Sequence, residues 1–375
     1  MLRQSSIAIL GAGMGGLALA GALLQRGFKV HVYEQAKRFE RLGAGIQMSP
    51  NAMKVLRGLG LEERIRSTAF RPNYWANREW DSGEMKFELN LGDEAETRYG
   101  APYLLMHRGD LHEALASRVP SDVISLNKRL VDLQQQDGSV TLKFEDGTST
   151  QVDALIAADG VHSHVREWML GPEAPRFSGR VAYRTTFPAS LLDHSIGECT
   201  KWWGPDRHIV IYYVTSNRDE VYFVTSNPEP GWTKESWSQT GDLDELRAVF
   251  HGFHDEVQAV LKACPKVHKW ALFERDPLPR WSQGHVALLG DACHPMTPYM
   301  AQGAASAMED AIVLSRCIEE SSDFETAFKL YEDLRKPRTS QVQNTSHMNT
   351  WMRQRTDPSW VYGYDAWQQP TLSTV

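Results

Sequence analysis

The stretch IAILGAGMGGLALAGALL, Ile7 to Leu24, runs eighteen residues without a charge. That is long enough to suggest a membrane span or a signal core. Glycines at positions 11, 13, 15, 16 and 21 argue against a lone apolar helix, and no small-residue cleavage site follows. A buried parallel strand over Ile7–Leu10, a glycine turn and a buried helix to about Gln25 accommodate every residue. A second strand, KVHVYE, then ends in Glu34, eighteen residues after Gly16. In such a unit Gly11 permits the tight turn, Gly13 lets backbone approach a pyrophosphate, and Gly16 lets the helix pack close to the strand. The helix N-terminus attracts phosphate, and the terminal acid holds ribose hydroxyls. The order strand, GxGxxG, helix, strand, acid predicts a dinucleotide-binding unit.

The chain is 375 residues long, enough for two domains or for one with a large insertion. Lys and Arg number 40 against 47 Asp and Glu, a net charge of −7, which excludes a nucleic-acid footprint. Cys199, Cys264, Cys293 and Cys317 show no paired metal-type spacing and fit free thiols in a reducing, cytoplasmic compartment. His162 and His164 form a two-histidine group without a third ligand, so no metal site is expected.

Two further strand-and-turn elements follow. DALIAADGVHSHVR breaks at Asp159-Gly160, and GHVALLGDACHPMTPYMAQGAASAMEDA ends its strand at Gly290-Asp291. The latter leads through a proline-containing loop to a small-residue helix beginning near Gly303. Small residues there allow a flat ring to lie against the helix N-terminus, whose positive end favours negative charge on it.

Between these elements GRVAYRTTFPA, CTKWWGPDRHIVIYYV and EVYFVTSN read as antiparallel strands. DLDELRAVFHGFHDEVQAVLKAC has helical spacing, with Leu246, Val249, Phe250, Phe253, Val257 and Val260 on one side. The alternation of HIVIYYV puts His208, Val210 and Tyr212 on one face and Ile209, Ile211 and Tyr213 on the other. The second row suits a core. The first suits either a pocket for a flat polar ring or a boundary with one satisfied histidine. Trp202 and Trp203 are divided between core and pocket rim. A helix from about Phe324 to Met352 carries Pro337, which should kink it. The aromatic residues after it predict a tail packed on the body.

The GxGxxG with Glu34, the Asp159-Gly160 element and Gly290-Asp291, in that order, resemble the three fingerprints of the single-component flavoprotein aromatic hydroxylases. Among these, RLGAGIQMSPNAMK, KWWGPDRHIVIYYV, RDEVYFVTSNPEPGW and DPSWVYGYD are most similar to the branch acting on 6-hydroxynicotinate. The resemblance implies an α/β fold: a Rossmann-like FAD-binding domain over 1–75, 101–178 and 275–345. An inserted antiparallel-sheet substrate domain would take 76–100 and 179–274, and a C-terminal segment 346–375.

It also implies FAD, held by Gly11, Gly13, Gly16, Glu34, Arg108, Asp159 and Asp291, with Pro295 beside the reactive edge and Gly303 amides at the pyrimidine side. NADH or NADPH serves as a transient reductant without a Rossmann domain of its own. The partners implied are O2 and a small aromatic or pyridine acid, without stable membrane association. On the substrate side it implies Gln47, Cys199, His208, Tyr212 and Tyr299. His208 is the expected base, an imidazole titrating near neutrality, and Tyr212 assists it. In that branch histidines stand at the positions of Gln47 and Tyr299, so this chain departs from the pattern where the ring substituents lie.

Overall fold

The computed structural model describes residues 2–41, 44–231 and 240–371. Leu42, Gly43 and Trp232, which belong to the stretches carrying the family resemblance, lie outside the described residues.

The opening unit folds as the sequence predicts: strand Ser6–Leu10, helix Met14–Gln25, strand Lys29–Tyr33. It lies in a six-stranded sheet ordered Ile124–Ser125, Lys29–Tyr33, Ser6–Leu10, Ala154–Ala157, Val286–Leu288, Ser282–Gln283. The first five are parallel and the last is antiparallel. Ser6–Leu10 pairs with Lys29–Tyr33 on one side and with Ala154–Ala157 on the other. The connections therefore diverge at the carboxyl ends of these strands, and such a switch point leaves a crevice. Ala154–Ala157 and Val286–Leu288 are wholly buried, which is why both read as continuous apolar runs.

A second sheet has seven strands, ordered His268–Glu274, Arg176–Pro188, Glu220–Pro228, His208–Tyr213, Cys199–Trp203, Tyr74–Glu79, Met85–Asn90. Its pairings are antiparallel except that of Cys199–Trp203 with Tyr74–Glu79. The expected domain cuts at 75/76 and 178/179 fall inside the strands Tyr74–Glu79 and Arg176–Pro188.

The single helix expected from 242 to 264 is two, Leu243–Val249 and Asp255–Ala263. Gly252 at φ 82° breaks the helical path, and the His254 ring caps the second helix by accepting from the Glu256 amide. The apolar spacing survives the break. Leu246, Phe250, Phe253, Val257 and Val260 share one buried cluster with Ile209 and Ile211.

Helices Gly303–Glu320 and Phe324–His347 close the body, and Pro337 sits inside the latter without ending it. The C-terminal segment packs on the body as expected. Trp351, Val361 and Tyr362 enter the second core, and Ala366 enters the first. Among the described residues no helix is long and apolar enough to cross a membrane.

Candidate active site

The three fingerprints converge at the carboxyl edge of the parallel sheet. A Cβ on Gly11 would stand 2.4 Å from the Ala158 carbonyl oxygen, and one on Gly16 2.0 Å from that of Gly11. Both positions require glycine for close approach. Around Gly13 nothing lies within 4 Å of such a Cβ, and the helix it opens has no side-chain cap. Its first turn therefore has no side-chain acceptor of its own, as an anion site requires. Glu34 is fixed at its strand end, accepting from the amides of Ala12 (2.7 Å) and Ala36 (2.8 Å).

Further along the cleft, Arg108 and Asp291 are surface-accessible, yet protein surrounds each on nearly every side. Both descriptions fit residues lining the crevice expected at the switch point of the parallel sheet. Burial raises the Asp291 pKa, with His294 and Arg108 opposing; burial lowers that of Arg108, with Asp291 opposing. Asp159, whose pKa burial also raises, has a buried Oδ1 with no partner, while its Oδ2 accepts from the Val165 amide at 3.4 Å. Asp291 Oδ1 lies 4.0 Å from where a Cβ on Gly303 would stand, and the helix starting there also lacks a side-chain cap. An acid at the ribose position, two uncapped helix starts, an orphaned carboxylate oxygen and an Arg–Asp pair along one cleft fit FAD.

Pro295 does not fit its expected place. It is buried, and its carbonyl accepts from Gln343 at 2.8 Å. The exposed proline of this loop is Pro298, one residue before Tyr299.

The loop is braced from beneath. His294 Nε2 and Asp310 Oδ2 are 2.5 Å apart, and Asp310 also accepts from Arg335 (2.7 Å) and from the Gly290 amide (3.3 Å). Despite burial, Cys293 and Asp310 hold the His294 pKa well above its ordinary value. Cys293, His294 and Asp310 could together ligate a metal ion, but Asp310 is already engaged by three donors, so the cluster serves as a charge network. His162 and His164 are exposed.

The substrate-side residues gather on one face of the seven-stranded sheet. Cys199 opposes Tyr212, Lys201 opposes Val210, and Trp203 opposes His208. On the next strand Tyr222 and Ser226 continue the Tyr212 and His208 rows. The loop after Asp291 reaches this face. The Tyr299 hydroxyl lies 2.9 Å from Ser226 Oγ, and its ring meets His208 edge-on at 5.5 Å and 72°. Gln47, on the short strand Gly45–Met48, accepts from the Tyr103 hydroxyl at 2.6 Å. Burial, Tyr222 and Cys199 push the Tyr212 phenol well up, and Gln47 opposes them. Burial likewise raises the Cys199 thiol pKa, so this residue is a neutral thiol.

Four residues at about 3.3 Å each separate His208 from Tyr212 by roughly 13 Å. They stand at opposite ends of one row, His208 with Tyr299 and Ser226, Tyr212 with Cys199 and, from the short strand, Gln47 with Tyr103. The two tryptophans divide cleanly. Trp202 stacks on His254 at 4.6 Å on the helix side, and Trp203 lies on the pocket side, donating to Asn77 Oδ1 at 3.0 Å.

One expectation fails. His208 does not titrate near neutrality: burial, then Lys201, Arg180 and Arg353, hold its pKa well below 6.5. A neutral imidazole accepts protons, but it is a weaker base than the one expected. Lys201 itself escaped the motif reading, although the alternation Cys199, Lys201, Trp203 puts it on the pocket face.

A profile of the FAD binding domain family matches residues 4–346. The chain is 47% identical over 377 residues to a 6-hydroxynicotinate 3-monooxygenase of Bordetella bronchiseptica, covering 99% of this chain and 98% of that protein. It is 46% identical over 378 residues to the enzyme of the same name from Pseudomonas fluorescens, covering 99% and 98%. Among solved structures it is similar to Klebsiella pneumoniae HpxO complexed with FAD and uric acid. The TM-score there is 0.84 at 28% identity, over 96% of this chain and 91% of that one.

Proposed function

Because the chain belongs to the FAD-dependent monooxygenases of the FAD binding domain family, we propose that it hydroxylates a small hydroxylated aromatic or pyridine carboxylic acid. The reaction uses O2 and NADH or NADPH, para to the activating hydroxyl. On a ring carbon that carries a carboxylate, the new C–O bond replaces the C–C bond and CO2 leaves. When bound, FAD passes two electrons from the nicotinamide to O2, one oxygen atom entering the ring and the other leaving as water.

The observation that carries this reading is the polar row on the sheet face: a buried, uncharged His208 at one end and Tyr212 at the other. Tyr299, from the loop that begins at Asp291, covers the His208 end. His208 accepts the ring-hydroxyl proton, which makes the ring electron-rich. Tyr212, Gln47 and Cys199 position the far end, and the apolar walls exclude water. Similarity to the 6-hydroxynicotinate enzymes supports a pyridine acid and loss of CO2. Neutral Gln47 and Tyr299 favour the second reading, a salicylate- or 3-hydroxybenzoate-type hydroxylation, or one that proceeds without loss of CO2. A non-catalytic flavin sensor would have no use for a proton acceptor on this face. The enzyme works in the cytoplasm, in keeping with four free, buried cysteines.

The test is NADH and NADPH oxidation with oxygen uptake by the yellow holoprotein, across hydroxypyridine and hydroxybenzoate acids. Substrate-stimulated turnover with product and CO2 analysis is expected. A flavin-loaded protein whose oxidation rate no member of the panel stimulates overturns the reading.

A further inference from the structure

Lys201 is 2% exposed in the middle of the pocket-facing row. Its strand partners are Val210 and Asn77. Its ammonium lies over the Trp203 ring, 3.9 Å from the centroid, and Trp203 in turn packs on His208 at 5.1 Å. Among the described residues it makes no ion pair and no hydrogen bond.

Among the described residues the titratable groups around it offer no compensating anion. His208, from the opposing strand, is neutral; Arg180, from Arg176–Pro188, and Arg353, from the C-terminal segment, act with Lys201 on that imidazole as further cations. Cys199, Tyr212 and Tyr222 all have raised pKa values and stay protonated. Burial alone lowers the Lys201 pKa to about 7. An uncompensated cation at this depth is costly, and the remaining source of negative charge is the molecule bound against the face.

We propose that Lys201 is the cation that stabilises the ring oxyanion formed when His208 takes the substrate's hydroxyl proton, a role that rests on the monooxygenase reading above. In that step the ring O–H bond breaks and its electron pair stays on oxygen, while a new N–H bond converts His208 to imidazolium. The ammonium leans toward the Trp203–His208 pair and not toward Tyr212, so it meets the charge where it forms. The arrangement also explains a weak base in this place. Lys201 disfavours imidazolium in the free enzyme, and the oxyanion, lying between two cations, removes that penalty.

The test uses holoenzyme, without NADH, and two probes: 6-hydroxynicotinate and its uncharged amide, 6-hydroxynicotinamide. Ultraviolet difference spectra against pH report ionisation of the bound ring hydroxyl. Wild type should lower that pKa for both probes, with the effect fading as pH rises and free Lys201 loses its proton. Lys201→Met should raise the bound-probe pKa by about 1 to 3 units for acid and amide alike, with turnover falling roughly 10²-fold. Lys201→Arg should restore the shift and flatten its pH dependence, because guanidinium stays charged. Thermal melting should leave Lys201→Met at least as stable as wild type, since a buried cation is gone.

Ionisation of the bound probe unchanged in Lys201→Met overturns the proposal. A loss confined to the acid and absent with the amide also overturns it, in favour of a carboxylate clamp. If wild type binds neither probe and no panel member stimulates turnover, the monooxygenase reading itself fails, and the proposal with it.

Discussion

Replacing Arg335 by Met tests the network beneath the loop. The Arg335 side chain is fully buried, its Nε 2.7 Å from Asp310 Oδ1 and its NH2 nitrogen 2.7 Å from Glu309 Oε2. Breaking a buried pair costs about 3–5 kcal/mol because charge is left without its partner. Here each carboxylate keeps other donors. Glu309 retains Arg338 (2.9 and 3.0 Å) and Asn51 (2.7 Å), and Asp310 retains His294. The loss should therefore fall near the lower end, about 3 kcal/mol. With an unfolding entropy of about 2.1 cal/mol/K per residue, a chain of this length has roughly 0.8 kcal/mol/K, so Tm should drop by about 4 °C.

The pH dependence has a definite sign. Burial pushes both carboxylates up, yet Arg338 and Arg335 hold Glu309, and His294 and Arg335 hold Asp310, below their ordinary values. Groups with depressed folded pKa values stabilise above their unfolded values, and that contribution fades as pH falls through the folded ones. The gap between wild type and Arg335→Met should thus be steady near neutrality and shrink below about pH 4. Because Asp310 also holds the Gly290 amide, flavin should leave the variant at lower temperature. Circular dichroism and flavin-fluorescence melts from pH 7 to about pH 3 give both readings. A Tm loss under about 1 °C, or a gap that widens in acid, would refute the reasoning.

Asp291→Ala should remain folded yet purify largely colourless, and full FAD occupancy at wild-type affinity would remove this carboxylate from the flavin site. Changing Gln47 and Tyr299 together to His should shift relative kcat/KM toward 6-hydroxynicotinate by roughly 1 to 3 kcal/mol. An unchanged substrate ranking places neither residue against the ring. His208→Ala should slow hydroxylation on the order of 10²- to 10⁴-fold with normal FAD content, and Tyr212→Phe should cost less. Since His208 must be neutral to accept a proton and its pKa is lowered, the acid-side fall of wild-type kcat/KM should begin only as pH drops well below 6.5. An acid limb centred at or above 6.5 would contradict the buried, cation-flanked imidazole.

The nucleotide half was legible because its constraints are local. Gly11 and Gly16 meet backbone within their own unit or the adjoining strand, and Glu34 caps the very next strand, so spacing alone carries the inference. The substrate half depends on contacts between distant segments. Alternation assigns His208, Val210 and Tyr212 to one face, but which face is covered by helices and which by the Tyr299 loop is a tertiary choice.

That choice turns His208 from an ordinary imidazole into one depressed by burial and three cations, a property no window of sequence contains. Pro295 misled for a related reason. Two prolines three residues apart are equivalent as loop residues until Gln343, on a helix far along the chain, takes the Pro295 carbonyl and leaves Pro298 exposed. Lys201 shows the limit most sharply. Between Thr200 and Trp202 it reads as a strand lysine with its ammonium in solvent. Only the assembled sheet reveals that parity with Cys199 carries the charge inward, to a face without a compensating acid among its described neighbours.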